Sequence, residues 1–220
     1  MPAERRPAPT IRRLVALAVH LGSLLPLALL LFAGATGQLS VNPIQDLTLR
    51  TGKTALVLLL LSLACTPLNL LLGWKWALGL RKPLGLYSFL YICLHLLIFA
   101  GVDYGLDFGQ IGQAITEKRY VLAGLASFLL LLPLALTSTK GAMRRLGRWW
   151  RRLHWLVYPA ALLAVLHFLW LAKTAREPMI FGAVLLAVLA VRALRSLGAP
   201  ARIANRSAQP PAQGSEKRHG

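Results

Sequence analysis

Residues 81–102 read RKPLGLYSFLYICLHLLIFAGV: two cations and a proline, then an uncharged run from Leu84 to Val102 that holds one histidine, His95. At about 1.5 Å of rise per residue, a helix over that run is long enough to cross the roughly 30 Å hydrocarbon core of a bilayer. The same pattern recurs outward in both directions. Apolar stretches lie at 14–35, 54–72, 120–136, 153–172 and 178–195, the last interrupted by Arg192, which near a helix end can snorkel to the headgroups. The fold class expected is therefore all-α, an integral membrane bundle of six transmembrane helices. An even number of spans returns both termini to one side.

Composition agrees with a bilayer. Of 220 residues, 56% are hydrophobic and 15% charged, and the mean hydropathy is +0.59, outside the usual range of soluble domains. A formal charge of +18 would suggest a nucleic-acid partner for a soluble chain, but its distribution argues otherwise. Segments 1–13, 73–83, 137–152 and 192–220 carry 19 basic residues and two acids, whereas 36–53, 103–119 and 173–177 carry six basic residues and five acids. One face holds +17 and the other +1, so the positive-inside rule puts both termini in the cytoplasm. Trp74, Trp76, Trp149, Trp150 and Trp155 gather at that boundary as an interfacial belt. The basic run from Lys140 to Arg152 is too short for a domain and is placed to meet anionic membrane lipid, not nucleic acid.

Three segments follow: a basic cytoplasmic tail at 1–13, a membrane domain at 14–195, and a basic cytoplasmic tail at 196–220, rich in Ala, Pro, Arg and Ser and expected to be disordered. The apolar run beginning at Leu14 passes Leu31, longer than the ~7–15 residues of a secretory signal core, so it is read as an uncleaved span. No internal repeat is evident. Gly101, Gly105 and Gly109 have the spacing of a helix-packing motif but fall at a membrane exit beside Asp103 and Asp107, and are read as loop. Cys65 and Cys93 both sit in apolar runs, which excludes a disulfide scaffold and a cysteine-ligated iron–sulfur cluster.

The histidines carry the chemistry. An ionisable residue within a span is costly and is a functional candidate when a partner can be named. His95 lies 14 residues beyond Arg81, about 21 Å up the third span, and His167 lies 15 beyond Arg152, about 22 Å up the fifth. Two imidazoles at one depth on different helices can close on one metal from opposite sides. A haem iron suits that setting, because the porphyrin supplies the equatorial ligands and apolar walls suit its faces. His154 lies 13 residues below His167, about 19.5 Å, a spacing for a second, stacked haem. In an ideal helix those residues rotate about 1300°, some 140° short of four turns, and a kink at Pro159 would alter that phase. Beside Arg152 and Trp155, His154 reads equally as an interfacial residue. His20 has no partner at its depth and is read as a hydrogen-bonded packing residue.

The block RKPLGLYSFLY from Arg81 to Tyr91 with His95 following, LTST from Leu136, GRWWRRLHWLVY from Gly147 to Tyr158, and then His167 resemble the ferric-reductase-like transmembrane family. Within it the resemblance is greatest to the haem-binding membrane subunits of bacterial periplasmic methionine sulfoxide reductase systems, and it extends over residues 10–195. It implies haem b, one or two, with His95 and His167 as iron ligands and His154 as a further ligand position. The wider superfamily places two histidines 14 apart on the third helix; here the position 14 before His95 is Arg81. Arg81 is then left to pair with a haem propionate or to stand opposite His154. The resemblance also implies a respiratory quinone as electron donor, FMN as an associated cofactor with no residue of this chain assigned to it, and a periplasmic molybdopterin-containing reductase as partner. The location implied is the bacterial inner membrane.

The expected function is that of a non-catalytic electron-transfer subunit whose partner repairs oxidised methionine. Cys65 and Cys93 both lie within spans, so no cysteine stands outside the membrane to attack a sulfoxide. Two alternatives stay open: a ferric or cupric reductase of the same fold, and a small transporter or scaffold with structural histidines. No glycine-rich dinucleotide fingerprint follows a strand, so a separate reductant is required.

Overall fold

The computed structural model describes the backbone of residues 9–207 and the side chains of residues 13–195; residues 1–8 and 208–220, parts of the two expected tails, lie outside the described residues. Among the described residues there is no strand. Six helical stretches are long and apolar enough to cross a membrane: Arg13–Ala35, Pro43–Leu72, Lys75–Asp103, Arg119–Leu136, Arg148–Leu171 and Arg176–Arg195. The six-span, all-α expectation holds.

In chain order, α1 (Pro9–Ala35) leads to α2 (Pro43–Leu72). Asn42 starts α2 by accepting the Gln45 N–H on its side-chain oxygen, with Pro43 in the first turn, and Gly73 ends it in the left-handed conformation at φ 70°. A 3₁₀ segment, Lys75–Leu80, feeds α3 (Arg81–Leu97), whose last turn widens into a π-helix over Ile98–Asp103. The expected outer loop contains α4 (Phe108–Glu117), capped by Asp107. The loop reading of the glycine series holds for Gly105, left-handed at φ 57°, but Gly101 lies inside the π-helical end of α3 and Gly109 in the first turn of α4. Next comes α5 (Arg119–Leu136).

The basic segment 137–152 is more ordered than a plain loop. It forms α6 (Lys140–Leu146) and α7 (Arg148–Leu153), hinged at Gly147, whose φ of 51° disfavours any side chain. Trp150 does more than anchor: its indole N–H donates to the Thr137 carbonyl at 3.0 Å. A 3₁₀ turn, His154–Leu156, leads into α8 (Val157–Leu171), and α9 (Arg176–Ser207) runs past the boundary drawn at 195.

The most extensive pairings are α2 with α3 and α5 with α8, and they are built alike. His95 on α3 bonds the Thr48 carbonyl on α2, and His167 on α8 bonds the Tyr120 carbonyl on α5; both bonds span 47 residues. Ser88 on α3 donates to the Ala55 carbonyl, and Ser127 on α5 donates to the Ala160 carbonyl, both across 33 residues. Adding 72 converts Thr48, Gly52, Ala55, Ser88 and His95 into Tyr120, Gly124, Ser127, Ala160 and His167. The chain therefore contains a structural repeat of two helical hairpins running in the same direction, the arrangement expected of a pseudo-two-fold along the membrane normal. The sequence expectation of no repeat is corrected. Few identities survive, because each position needs only to be small, or to offer a carbonyl, or to carry an imidazole.

Between the hairpins lies the main core, where Leu59 and Leu63 meet Leu131, Ala160, Ala161, Leu185 and Val188. A second cluster packs α3 on α2 around Tyr91, which is 1% exposed. Its hydroxyl donates to the Ser23 carbonyl and accepts the Leu27 N–H, tying α1 to α3 around Pro26, whose ring leaves a carbonyl one turn back without a helical donor.

Candidate functional site

The repeat brings His95 and His167 together. Their ring centroids are 6.0 Å apart with the ring planes at 89°. Two imidazoles on one metal, each bonded at about 2.0 Å and with the ring centre about 1.1 Å behind the nitrogen, place their centroids about 6 Å apart. Each Nδ1–H donates to a backbone carbonyl, His95 to Thr48 at 2.9 Å and His167 to Tyr120 at 2.6 Å. That fixes the tautomer and leaves Nε2 without its proton, the outer arrangement that metal-bound histidines ordinarily have.

Glycine makes the close approach possible. A Cβ on Gly52 would stand 3.1 Å from the His95 ring, and one on Gly124 would stand 2.7 Å from His167 Nδ1. Each imidazole thus meets the partner helix along its Nδ1–Cε1 edge, at a point where only a hydrogen fits. Among the described residues no three His, Cys, Asp or Glu side chains gather to hold a metal ion. A metal held between His95 and His167 would need further ligands, and a porphyrin would supply four.

His154 is apart from this pair. Its ring stacks on Trp150 at 3.8 Å between centroids, and its Nδ1–H donates to the Trp150 carbonyl at 3.0 Å, so Nε2 is free. Arg81 is exposed at the start of α3. The phase mismatch between His154 and His167 is reduced by the 3₁₀ turn His154–Leu156. Three residues at about 120° each instead of about 100° recover about 60° of the shortfall. Pro159, expected as the kink, sits in the first turn of α8, where a proline is tolerated. His20 bonds the Tyr87 hydroxyl at 2.9 Å, a packing contact between α1 and α3.

Residues 51–165 match the family model described as ferric reductase like transmembrane component. The chain is 46% identical over 182 residues, 82% of its length and 88% of the relative's, to the protein-methionine-sulfoxide reductase heme-binding subunit MsrQ of Rhodospirillum rubrum. It is 45% identical to MsrQ of Deinococcus radiodurans over 87% of the chain and 93% of the relative, and 43% identical to MsrQ of Xanthomonas euvesicatoria over 88% and 92%. The chain belongs to the MsrQ family. No solved structure matches it.

The family-model match begins inside α2 and ends inside α8, so it covers most of both hairpins and leaves α1 and α9 outside. In this MsrQ-family chain the sequence identified the two imidazoles and missed what seats them: Gly52, Gly124 and the carbonyls of Thr48 and Tyr120. A signal existed, since Gly52 precedes His95 by the interval at which Gly124 precedes His167. It is invisible to any search for similar residues.

At the end of the bundle away from the basic segment 137–152, Lys53 and Glu177 form an ion pair at 2.5 Å that joins α2 to α9. The Lys53 ammonium also stands 5.9 Å from the Phe168 ring centre, next to His167. Lys118 donates to the Tyr104 hydroxyl at 2.9 Å, which raises its pKa above the ordinary lysine range.

Proposed function

We propose that this chain is the haem-binding, electron-transfer membrane subunit of a periplasmic methionine sulfoxide reductase system. The observation that carries this reading is the His95–His167 pair, seated on glycine with both Nδ1 atoms tied to carbonyls. In this reading His95 and His167 hold haem b, and His154 with Arg81 forms a further cofactor position. When bound, the haem supplies a one-electron carrier inside the membrane. The chain's own residues orient it, keep the imidazoles neutral, and exclude water with the apolar walls of α2, α3, α5 and α8.

Electrons enter from the respiratory quinone pool and leave to a molybdopterin-containing reductase on the periplasmic face; FMN is a second cofactor. The +17 face is cytoplasmic, the acids Asp46, Asp103, Asp107, Glu117 and Glu177 lie outside, and the membrane is the bacterial inner membrane. Support comes from the relatives' names, the family model and the charge asymmetry.

The test is an absorption spectrum of the detergent-purified protein, oxidised and dithionite-reduced, after expression with ample haem. A Soret band that shifts on reduction is expected; colourless protein would sink the proposal. Reduction of the purified periplasmic partner in reconstituted membranes separates this reading from a ferric reductase, which would reduce chelated iron and leave the partner oxidised.

A further inference from the structure

Arg192 does not snorkel away from the protein. Its guanidinium lies 4.9 Å over the Tyr158 ring, and Nη1 is buried without a hydrogen-bond partner. The other buried side-chain atom without a partner, among the described residues, is Thr66 Oγ1. Helix periodicity puts the two at the same place. Leu59 and Leu63 of α2 share the central core with Leu185 and Val188 of α9; Thr66 is one turn past Leu63, and Arg192 is one turn past Val188, toward the inner end.

Arg81 arrives from a third element. Its carbonyl accepts the Ser62 hydroxyl of α2 at 2.8 Å, one turn from Thr66. Two unpartnered buried atoms, Arg192 Nη1 and Thr66 Oγ1, therefore lie one turn past the same core layer, with the start of α3 bonded to α2 one turn away. The acids among the described residues, Asp46, Asp103, Asp107, Glu117 and Glu177, all sit in the outer segments. A buried guanidinium with an unused donor and no carboxylate is costly unless an anion compensates it.

We infer that Arg192 and Thr66 form a phosphate-binding site at the inner end of the bundle, roofed by Tyr158, with Arg81 at the start of α3 one turn along α2 and His154 one turn before Tyr158. A phosphomonoester carries about −1.5 to −2, which suits several cations, and a planar guanidinium fork suits its oxygens. Two sources share that chemistry: the phosphate of FMN, in which case the site rests on the function proposed above, and the headgroup of an anionic lipid. In either case α9, outside the family-model match, supplies the central residue.

The experiment uses the full chain in detergent with FMN and riboflavin, which differ by the phosphate, and in nanodiscs containing phosphatidylglycerol. Equilibrium dialysis should show riboflavin binding roughly tenfold weaker than FMN, about 1.4 kcal/mol. Arg192→Gln should lower FMN to the riboflavin level, Arg192→Lys should recover part of the difference, and Arg195→Gln, at an exposed site one turn further on, should match the unmodified chain. If the two flavins bind alike but native mass spectrometry finds one phosphatidylglycerol retained by the unmodified chain and lost in Arg192→Gln, the phosphate is the lipid's and the site stands. Equal binding of the flavins together with unchanged lipid in Arg192→Gln overturns it. Elution volume and thermal unfolding report whether the variants fold. A failure of the haem reading shows separately, as colourless unmodified protein.

Discussion

Gly124 and His167 touch more closely than any other residue pair would allow at that point: a Cβ on Gly124 would lie 2.7 Å from the ring nitrogen that donates to Tyr120. The backbone of α5 thus meets the Nδ1–Cε1 edge of the imidazole directly. Its counterpart, Gly52 behind His95, is looser at 3.1 Å.

Gly124→Ala should therefore displace the His167 ring and break its bond to Tyr120, an overpacking worth about 1–3 kcal/mol. Bound haem should fall by at least half, with altered low-spin signals by electron paramagnetic resonance. Gly52→Ala should do less. Unchanged spectra in Gly124→Ala would show that the ring does not depend on this contact.

His95→Ala and His167→Ala should each remove the same haem, since each supplies half of one axial pair. His20→Ala should leave haem content intact and cost about 1 kcal/mol of stability through the lost Tyr87 bond. Full haem in both ligand variants would show that the wrong pair had been chosen.

Ser88→Ala and Ser127→Ala remove equivalent hydrogen bonds from the two hairpins, to Ala55 and Ala160. Each should lower stability by about 1 kcal/mol, and the double variant by about the sum, because the bonds lie in separate hairpins. Reversible unfolding in mixed micelles measures this. A large effect from one serine and none from the other would count against the repeat as an energetic unit.

The Asp107 carboxylate caps α4 by accepting from the Gln110 and Gly109 amides, and from the Gln110 side chain at 3.0 Å. The Gln110 amide bond foremost holds its pKa below the usual aspartate value. A depressed carboxyl contributes stability above the unfolded value and loses it as pH falls through the lowered one. Limited proteolysis at α4 should therefore be flat near neutrality and rise only in acid, while Asp107→Ala should be cleaved faster at every pH. Equal rates would show that the cap does not hold α4.

Lys53 and Glu177 link α2 to α9, but the two side chains are 40% and 56% exposed, and such pairs contribute about 0–1 kcal/mol. Glu177→Gln should leave the unfolding midpoint nearly unchanged and haem content intact. A large loss would mean that α9 depends on this contact for docking.

Much of this molecule is readable along one dimension. The six spans follow from apolar length, the direction of the charge asymmetry from counting loops, and the shared depth of His95 and His167 from rise per residue, because each depends only on position along a helix. What the residue count could not supply was rotation and pairing. The 3₁₀ turn at His154–Leu156 changes the phase that an ideal helix would give, and small windings accumulate over a span. Gly52 and Gly124 acquire meaning only when a neighbouring helix lays an imidazole against them. Arg192, which the sequence marks only as a break in the sixth span, takes on a place when Val188 is packed into the core and the next turn is carried to Tyr158. Sequence alone determined how far along its helix each group lies; only tertiary packing decided which groups face one another, since azimuth is set by contacts across helices and not by rise along them.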